Sequence, residues 1–259
     1  MPPTEPGPAL ASVAPGGLTI HPVTGLGGVV SGDDLGALLA EALAPAVATN
    51  GSEGHGGLAD GDVLVVTQKV VSKAEGRLVE LDPEDGAAKA RLIEAESVRI
   101  VRRRGDLVIS ETPHGFICAN AGVDLSNVDT GTAALLPRDP DRSARRLRAA
   151  LRRRRGVSVG VVISDTFGRP WRNGVTDVAI GIAGVAGVVD LRGSADAYGR
   201  MLEVTEICIA DELAGAAELV MGKDRGIPAA VVRGVDPRWL RDASVATEIV
   251  RPPADDLFR

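Results

Sequence analysis

Apolar and polar positions along the chain alternate between short β-branched runs and longer amphipathic stretches. Residues 18–23 predict a first strand, closed by a Gly-rich turn at 24–28. Asp33 or Asp34 then caps a helix through Leu35, Leu38, Leu39 and Leu43. Residues 62–67 form a clear apolar run, which predicts the next strand. A turn or two of helix is expected at 68–75, with Gly76 as its stop, and an extended segment at 77–81. Residues 84–104 carry helical spacing through Ala88, Leu92, Ile93, Val98 and Val101. Residues 107–110 and 115–119 are expected to pair as a hairpin, followed by a polar loop at 120–127. A helix is predicted over 141–155, with Leu147 and Leu151 one turn apart among arginines. The run Val161-Val162-Ile163 predicts a buried strand that ends in Ser164-Asp165-Thr166. Residues 175–189 fit strand or helix. A long helix is expected over 204–221, burying Ile207, Ala210, Ala214, Ala217 and Val220 or Met221, and a last strand at 229–233.

Strands and helices mixed throughout predict an α/β, or mixed α+β, architecture. Residues 1–17 are aperiodic and rich in Pro, Gly and Ala, and read as a disordered tail ahead of a domain spanning 18–259. Residues 49–60 read as a flexible Gly-rich loop. It lacks the Lys-Ser/Thr ending of a phosphate-binding P-loop.

Composition sharpens this outline. The chain has 259 residues, enough for a full core, and aromatics make up only 2%, so that core must be aliphatic. Cys118 and Cys208 both sit in apolar segments and read as small buried hydrophobes, not as a disulfide or a metal pair. No apolar run reaches membrane-spanning length and no signal-peptide pattern opens the sequence, which predicts a cytoplasmic protein without a membrane partner. A net charge of −6 argues against bulk nucleic-acid binding. Only four of the 29 basic residues are lysines (Lys69, Lys73, Lys89 and Lys223), so a lysine position carries more information here than an arginine.

Three groups of residues are candidates for chemistry. Asp165 and Thr166 end an apolar strand and could hold a hard divalent cation through oxygen, with Asp124 as a second carboxylate. The competing reading makes Asp124 a turn residue and Asp165 part of an ordinary polar turn. Lys69 and Lys73 fall on one helical face, where a polyphosphate between them would relieve their repulsion; the alternative is a solvated face. Arg169, Arg172 and Asn173 could grip phosphate or carboxylate groups. The arginines of 142–155 read mainly as a solvated helix face whose last turn complements the helix dipole, and otherwise as an anion or RNA surface. His21, His55 and His114 show no metal-ligand spacing.

Taken together, four separated motifs resemble the coenzyme F420-0:gamma-glutamyl ligases. They are Gly61-Asp62-Val63 with Thr67-Gln68-Lys69-Val70-Val71-Ser72-Lys73-Ala74-Glu75-Gly76-Arg77, then Ala121-Gly122-Val123-Asp124-Leu125-Ser126-Asn127, then Ser164-Asp165-Thr166-Phe167-Gly168-Arg169-Pro170-Trp171-Arg172-Asn173-Gly174, and Leu219-Val220-Met221-Gly222-Lys223. The resemblance implies a two-lobed subunit in a tight homodimer. It implies a GTP-dependent ligase that adds L-glutamate to coenzyme F420-0 through an acyl phosphate, using Mg²⁺ or Mn²⁺, with K⁺ required in some members. Asp124, Asp165 and Thr166 would hold the metals. Lys73, Gln68, Asn127 and the turn of Leu26, Gly27, Gly28 and Val29 would contact GTP, and Met221, Gly222 and the residues to about 228 would close over it. Lys73, Asp165 and Arg169 are expected to act in catalysis; independently of the resemblance, the charges of Arg169 and Arg172 make them the candidates for the carboxylates or phosphodiester of the acceptor. Gln68 stands where a serine is common. Lys223 stands where some relatives carry a glutamine suited to metal ligation; an ammonium cannot ligate a metal and is expected to touch phosphate instead. In some relatives the domain is fused to a flavin-binding reductase-like domain, and residues 255–259 lie near where that fusion would begin. Two other functions stay open: an anion- or RNA-binding module built on the arginine helix, and a nucleotide-dependent phosphotransferase.

Overall fold

A computed structural model describes residues 17–44 and 57–257. Most of the expected N-terminal tail and most of the Gly-rich loop, including His55, lie outside the described residues. The centre of the molecule is a five-stranded sheet in the order β1-β12-β2-β8-β9. Its strands are β1 (Thr19–Pro22), β2 (Val63–Thr67), β8 (Gly160–Arg169), β9 (Arg172–Ala183) and β12 (Ala229–Arg233). β2 and β8 run parallel and every other neighbour pair is antiparallel.

The apolar run of β2 reflects burial on both faces. Leu64 and Val66 turn to one side, where they meet α1 (Leu35–Ala42) and α4 (Pro140–Arg155) in a core with Leu39, Leu147, Leu151 and Ile163. Val63 and Val65 turn to the other side and pack against α5 (Ile209–Met221) with Val162, Leu213 and Ala217. This is the strand period of two acting in a three-layer sandwich. Helix starts follow their caps: the Asp34 side chain accepts from the Ala37 amide at α1, and Asp139 accepts from Arg142 at α4.

Between β2 and α4 the chain builds a smaller lobe. α2 (Gln68–Ala74) follows β2 directly, and Gly76 takes the left-handed conformation (φ +66°) just past its end. β3 (Leu78–Glu80) pairs with β7 (Thr132–Ala134), and β4 (Arg99–Arg104), β5 (Leu107–Glu111) and β6 (Ile117–Ala119) form a meander beside α3 (Ala88–Ala95). Its own core is Ile93, Val108, Ala121, Val123, Ala133 and Leu135.

Three expectations are corrected. The helix expected over 84–104 stops at Ala95, and Arg99–Arg104 is strand paired with β5. Ser97 hydrogen-bonds back to the Ile93 carbonyl (2.6 Å), and the β-branched Val98, Ile100 and Val101 then suit the sheet. The helix expected from 204 begins at Ile209, because β11 (Glu206–Ile207) pairs with β10 (Val189–Asp190). The polar turn expected after Asp165 is strand: β8 runs on to Arg169 and forms a long hairpin with β9. That hairpin also settles residues 175–183 as strand.

Candidate active site

The carboxyl end of β2, where α2 begins, lies beside Ser164 of its parallel neighbour β8, and ligands in open α/β sheets usually bind at such strand ends. A cavity of about 620 Å³ opens there. It takes Thr67, Gln68, Lys69 and Lys73 from β2 and α2, and Asp165 to Gly168 from β8. Leu26, Gly27, Gly28 and Val29 line one wall, residues of the 118–127 loop another, and Glu218, Met221, Gly222 and Lys223 the wall around the end of α5. Of the residues expected to hold metal, contact GTP or bind the acceptor, all line this cavity except Arg169, Arg172 and Asn173. Arg169 is exposed at the far end of β8, opposite Arg172 in the hairpin register.

A register shift between Ile163 and Ser164 marks the point where β8 passes from core to cavity, since Ile163 pairs with Gly181 and Ser164 with Ala179. Such bulges re-aim the side chains beyond them. Asp165 and Thr166, as successive strand residues, project to opposite faces. Burial pushes the Asp165 carboxyl up to about 7; the nearby charges of Asp177 and Asp124 add to this, against the Thr166 amide and Lys223. Part of its surface still meets the cavity, so solvent or a bound cation can reach it.

Asp124 is held differently. Burial works to raise its carboxyl, but hydrogen bonds from Lys69 and Ser126 outweigh this and hold it below the usual carboxylate range. Lys69 Nζ lies 2.6 Å from Asp124 Oδ2, 2.7 Å from the Ser126 carbonyl and 2.9 Å from Ser126 Oγ. The expected Lys69–Lys73 pair is therefore divided: Lys69 is bound to Asp124, while Lys73 lines the cavity without an ion pair among the described residues. Gln68 is buried at the start of α2, with its side-chain carbonyl accepting from Ser72 Oγ (2.8 Å). Asn120, Ala121 and Asn127 all have φ near +53°, so the loop between them is held in a conformation costly for non-glycine residues.

Sequence reasoning missed Asp177. It is buried on β9 opposite Thr166 and accepts from Ser164 Oγ (3.0 Å) and Thr166 Oγ1 (2.5 Å). Lys223 donates to Thr166 Oγ1 and lies 3.4 Å from Asp177. The polar Thr176-Asp177 interrupting an otherwise apolar strand was the one signal that could have found it. Burial, with the charge of Asp177, pushes Glu218 up, while Lys223 opposes it.

Among the described residues no group of three or more His, Cys, Asp and Glu forms a ready-made metal cage. Two carboxylates on separate elements are nevertheless a donor set that Mg²⁺ accepts when substrate phosphates complete its shell. The Lys69 ammonium already rests on Asp124 Oδ2, which shows that this position attracts a cation.

Cys118 also lines the cavity, and burial, with the Asp165 charge, pushes its thiol up to about 12. At pH 8 only about one molecule in 10⁴ would carry the reactive thiolate. Iodoacetamide is expected to leave Cys118 unlabelled in the folded protein and to label it in denaturant. Rapid labelling of the folded protein would contradict this environment.

A sequence profile described as F420-0:Gamma-glutamyl ligase matches residues 25–234. A protein of Methanothermobacter thermautotrophicus named coenzyme F420:L-glutamate ligase is 42% identical over 258 residues, covering 94% of this chain and 99% of the relative. Proteins of the same name from Methanopyrus kandleri and Archaeoglobus fulgidus are 44% and 40% identical, each over 93% of this chain and over 98% and 96% of the relative. With a profile match across most of its length and this degree of identity, the chain belongs to the F420-0:gamma-glutamyl ligase family and is a ligase of that family.

Proposed function

We propose that this chain joins L-glutamate to coenzyme F420-0 through a γ-glutamyl amide bond, with GTP as the energy source and a divalent metal, Mg²⁺ or Mn²⁺, as cofactor. The observation that carries the reading is the meeting, in one cavity, of two carboxylates, Asp124 and Asp165, with three of the chain's four lysines. A cavity of about 620 Å³ suits a nucleotide-sized ligand. Three ammonium groups in it favour a polyanionic one.

Within this reading Lys73, which has no competing ion pair among the described residues, takes the nucleotide phosphates, together with the turn of Leu26, Gly27, Gly28 and Val29 and with Asn127. Gln68 contributes from the first turn of α2. Residues 221–228 form the wall that covers the nucleotide. Asp124 and Asp165 would hold the divalent ion, which when bound neutralises charge on the transferring phosphoryl group. Thr166 lines the same cavity, with its hydroxyl bonded to Asp177 and Lys223. A carboxylate of the acceptor attacks the γ-phosphorus of GTP, giving an acyl phosphate and GDP. The glutamate amine then attacks the acyl carbon; phosphate leaves and the ammonium proton passes to phosphate or water. Such a transfer needs mainly positioning and charge neutralisation, which these residues supply. The acceptor role expected of Arg169 and Arg172 finds no support in this cavity, which neither residue lines.

Residues 18–259 act in this reading as one ligase domain in the cytoplasm, and among the described residues no helix is long and apolar enough to cross a membrane. A homodimer is part of the proposal. Trp171 and Val175 on the β8–β9 hairpin and Tyr198, Met201 and Val204 beyond it are strongly exposed, as unburied interface residues would be. The arginine helix favours the ligase over an RNA-binding module, because several of its arginines bind the protein itself. Arg148 pairs with Asp242, Arg154 with Asp34, and Arg155 donates to the Ala40 carbonyl.

Incubation of the purified protein with GTP, Mn²⁺, L-glutamate and F420-0 should yield an acceptor heavier by one glutamyl unit and an equal amount of GDP by mass spectrometry. A phosphorylated acceptor without an amide would identify a phosphotransferase. Salt-sensitive RNA binding without GTP consumption would identify a binding module.

A further inference from the structure

We propose that the Lys223 ammonium is a resident cation of the active-site cavity, caged by oxygens of Thr166, Asp177 and Glu218 in place of a free ion. The inference rests on the metal-dependent reading above and concerns the other face of β8 from Asp165.

Lys223 lies just past the end of α5, and its side chain is 58% exposed on its way to the cavity wall. Its nitrogen contacts Thr166 Oγ1 and lies 3.4 Å from Asp177 Oδ1 and 4.0 Å from Glu218 Oε1. Three oxygens from β8, β9 and α5 thus gather around one group that carries three N–H donors. Asp177 makes the need for charge acute. Its side chain is only 2% exposed, and its other partners, Ser164 and Thr166, are hydroxyls that donate hydrogen bonds but no charge. A carboxylate taken out of water keeps its charge only beside a cation. Lys223 is the basic group paired with it among the described residues. Because this cation is covalently tethered, it needs no loading from solution. It fixes positive charge on the wall that the phosphates would face, and it leaves the exchangeable divalent ion to Asp124 and Asp165.

The test is an equilibrium titration of metal-free protein with Mn²⁺, read from the electron paramagnetic resonance of unbound Mn²⁺. Lys223→Ala and Lys223→Gln are expected to bind one more Mn²⁺ per chain than the unaltered protein, and Lys223→Arg no more than it. A gain in neither Lys223→Ala nor Lys223→Gln overturns the proposal, since Asp177 would then settle its charge without a cation. The number bound by the unaltered protein, and its loss in Asp165→Asn, report separately on the Asp124–Asp165 site. Circular dichroism melting shows whether each variant is folded. The exposed lysine stem makes truncation safe for the core.

Discussion

Asp165→Asn is expected to lower kcat/KM for amide formation by at least about 10³-fold, or roughly 4 kcal/mol of transition-state stabilisation. Asp165 sits where β8 leaves the core, on the strand face that carries Val161 and Ile163 below it. Its carboxylate is desolvated and lies within the field of Asp124 and Asp177. Such a group is unfavourable for folding in the absence of a cation, which fits a residue retained for chemistry. The amide keeps the shape and removes the charge. The metal-free variant should therefore melt at or above the temperature of the unaltered protein while turnover is lost. Full activity in a folded Asp165→Asn protein would remove this residue from the mechanism.

Gly181→Ala should be the most damaging small change to the fold. A Cβ at this position would stand 2.4 Å from the Pro140 carbonyl carbon and 2.5 Å from its oxygen. Those are backbone atoms in the first turn of α4, so no side-chain rotation can relieve the clash. Either α4 lifts from β9 or the strand shifts at the bulge beside Ser164. We expect a loss of about 3 kcal/mol, which in a domain of this size lowers Tm by roughly 6–12 °C. Gly86→Ala serves as the control, because a Cβ there meets nothing within 4 Å. Equal melting temperatures for the two variants would show that α4 does not pack this closely on the sheet.

Much of the fold was legible because it follows local rules. The buried strands β2 and β8 announce themselves as aliphatic runs, and Asp34 and Gly76 mark helix ends by cap chemistry that acts within a few residues. The misjudged elements share a cause. Residues 99–104 and 206–207 have apolar spacing compatible with a helix, and their strand state depends on pairing with β5 and β10. Pairing partners contribute as much to a strand as its own residues do. The long β8–β9 hairpin was hidden for the same reason: polar residues from Asp165 to Arg172 look like a turn until a partner strand takes up their backbone groups.

On its own the order of amino acids determined the aliphatic core, the mixed α/β class, the four motifs and most of the cavity residues, because these depend on residue type and short-range spacing. Only the tertiary structure decided how the charges are shared. Lys69 meets Asp124 across 55 residues of sequence and Lys223 meets Asp177 across 46. It also placed Arg169 outside the cavity and set the buried Asp177 behind Thr166 and Lys223 of its wall. Electrostatic partnership depends on distance and on the water excluded between groups, and both are set by how distant segments pack.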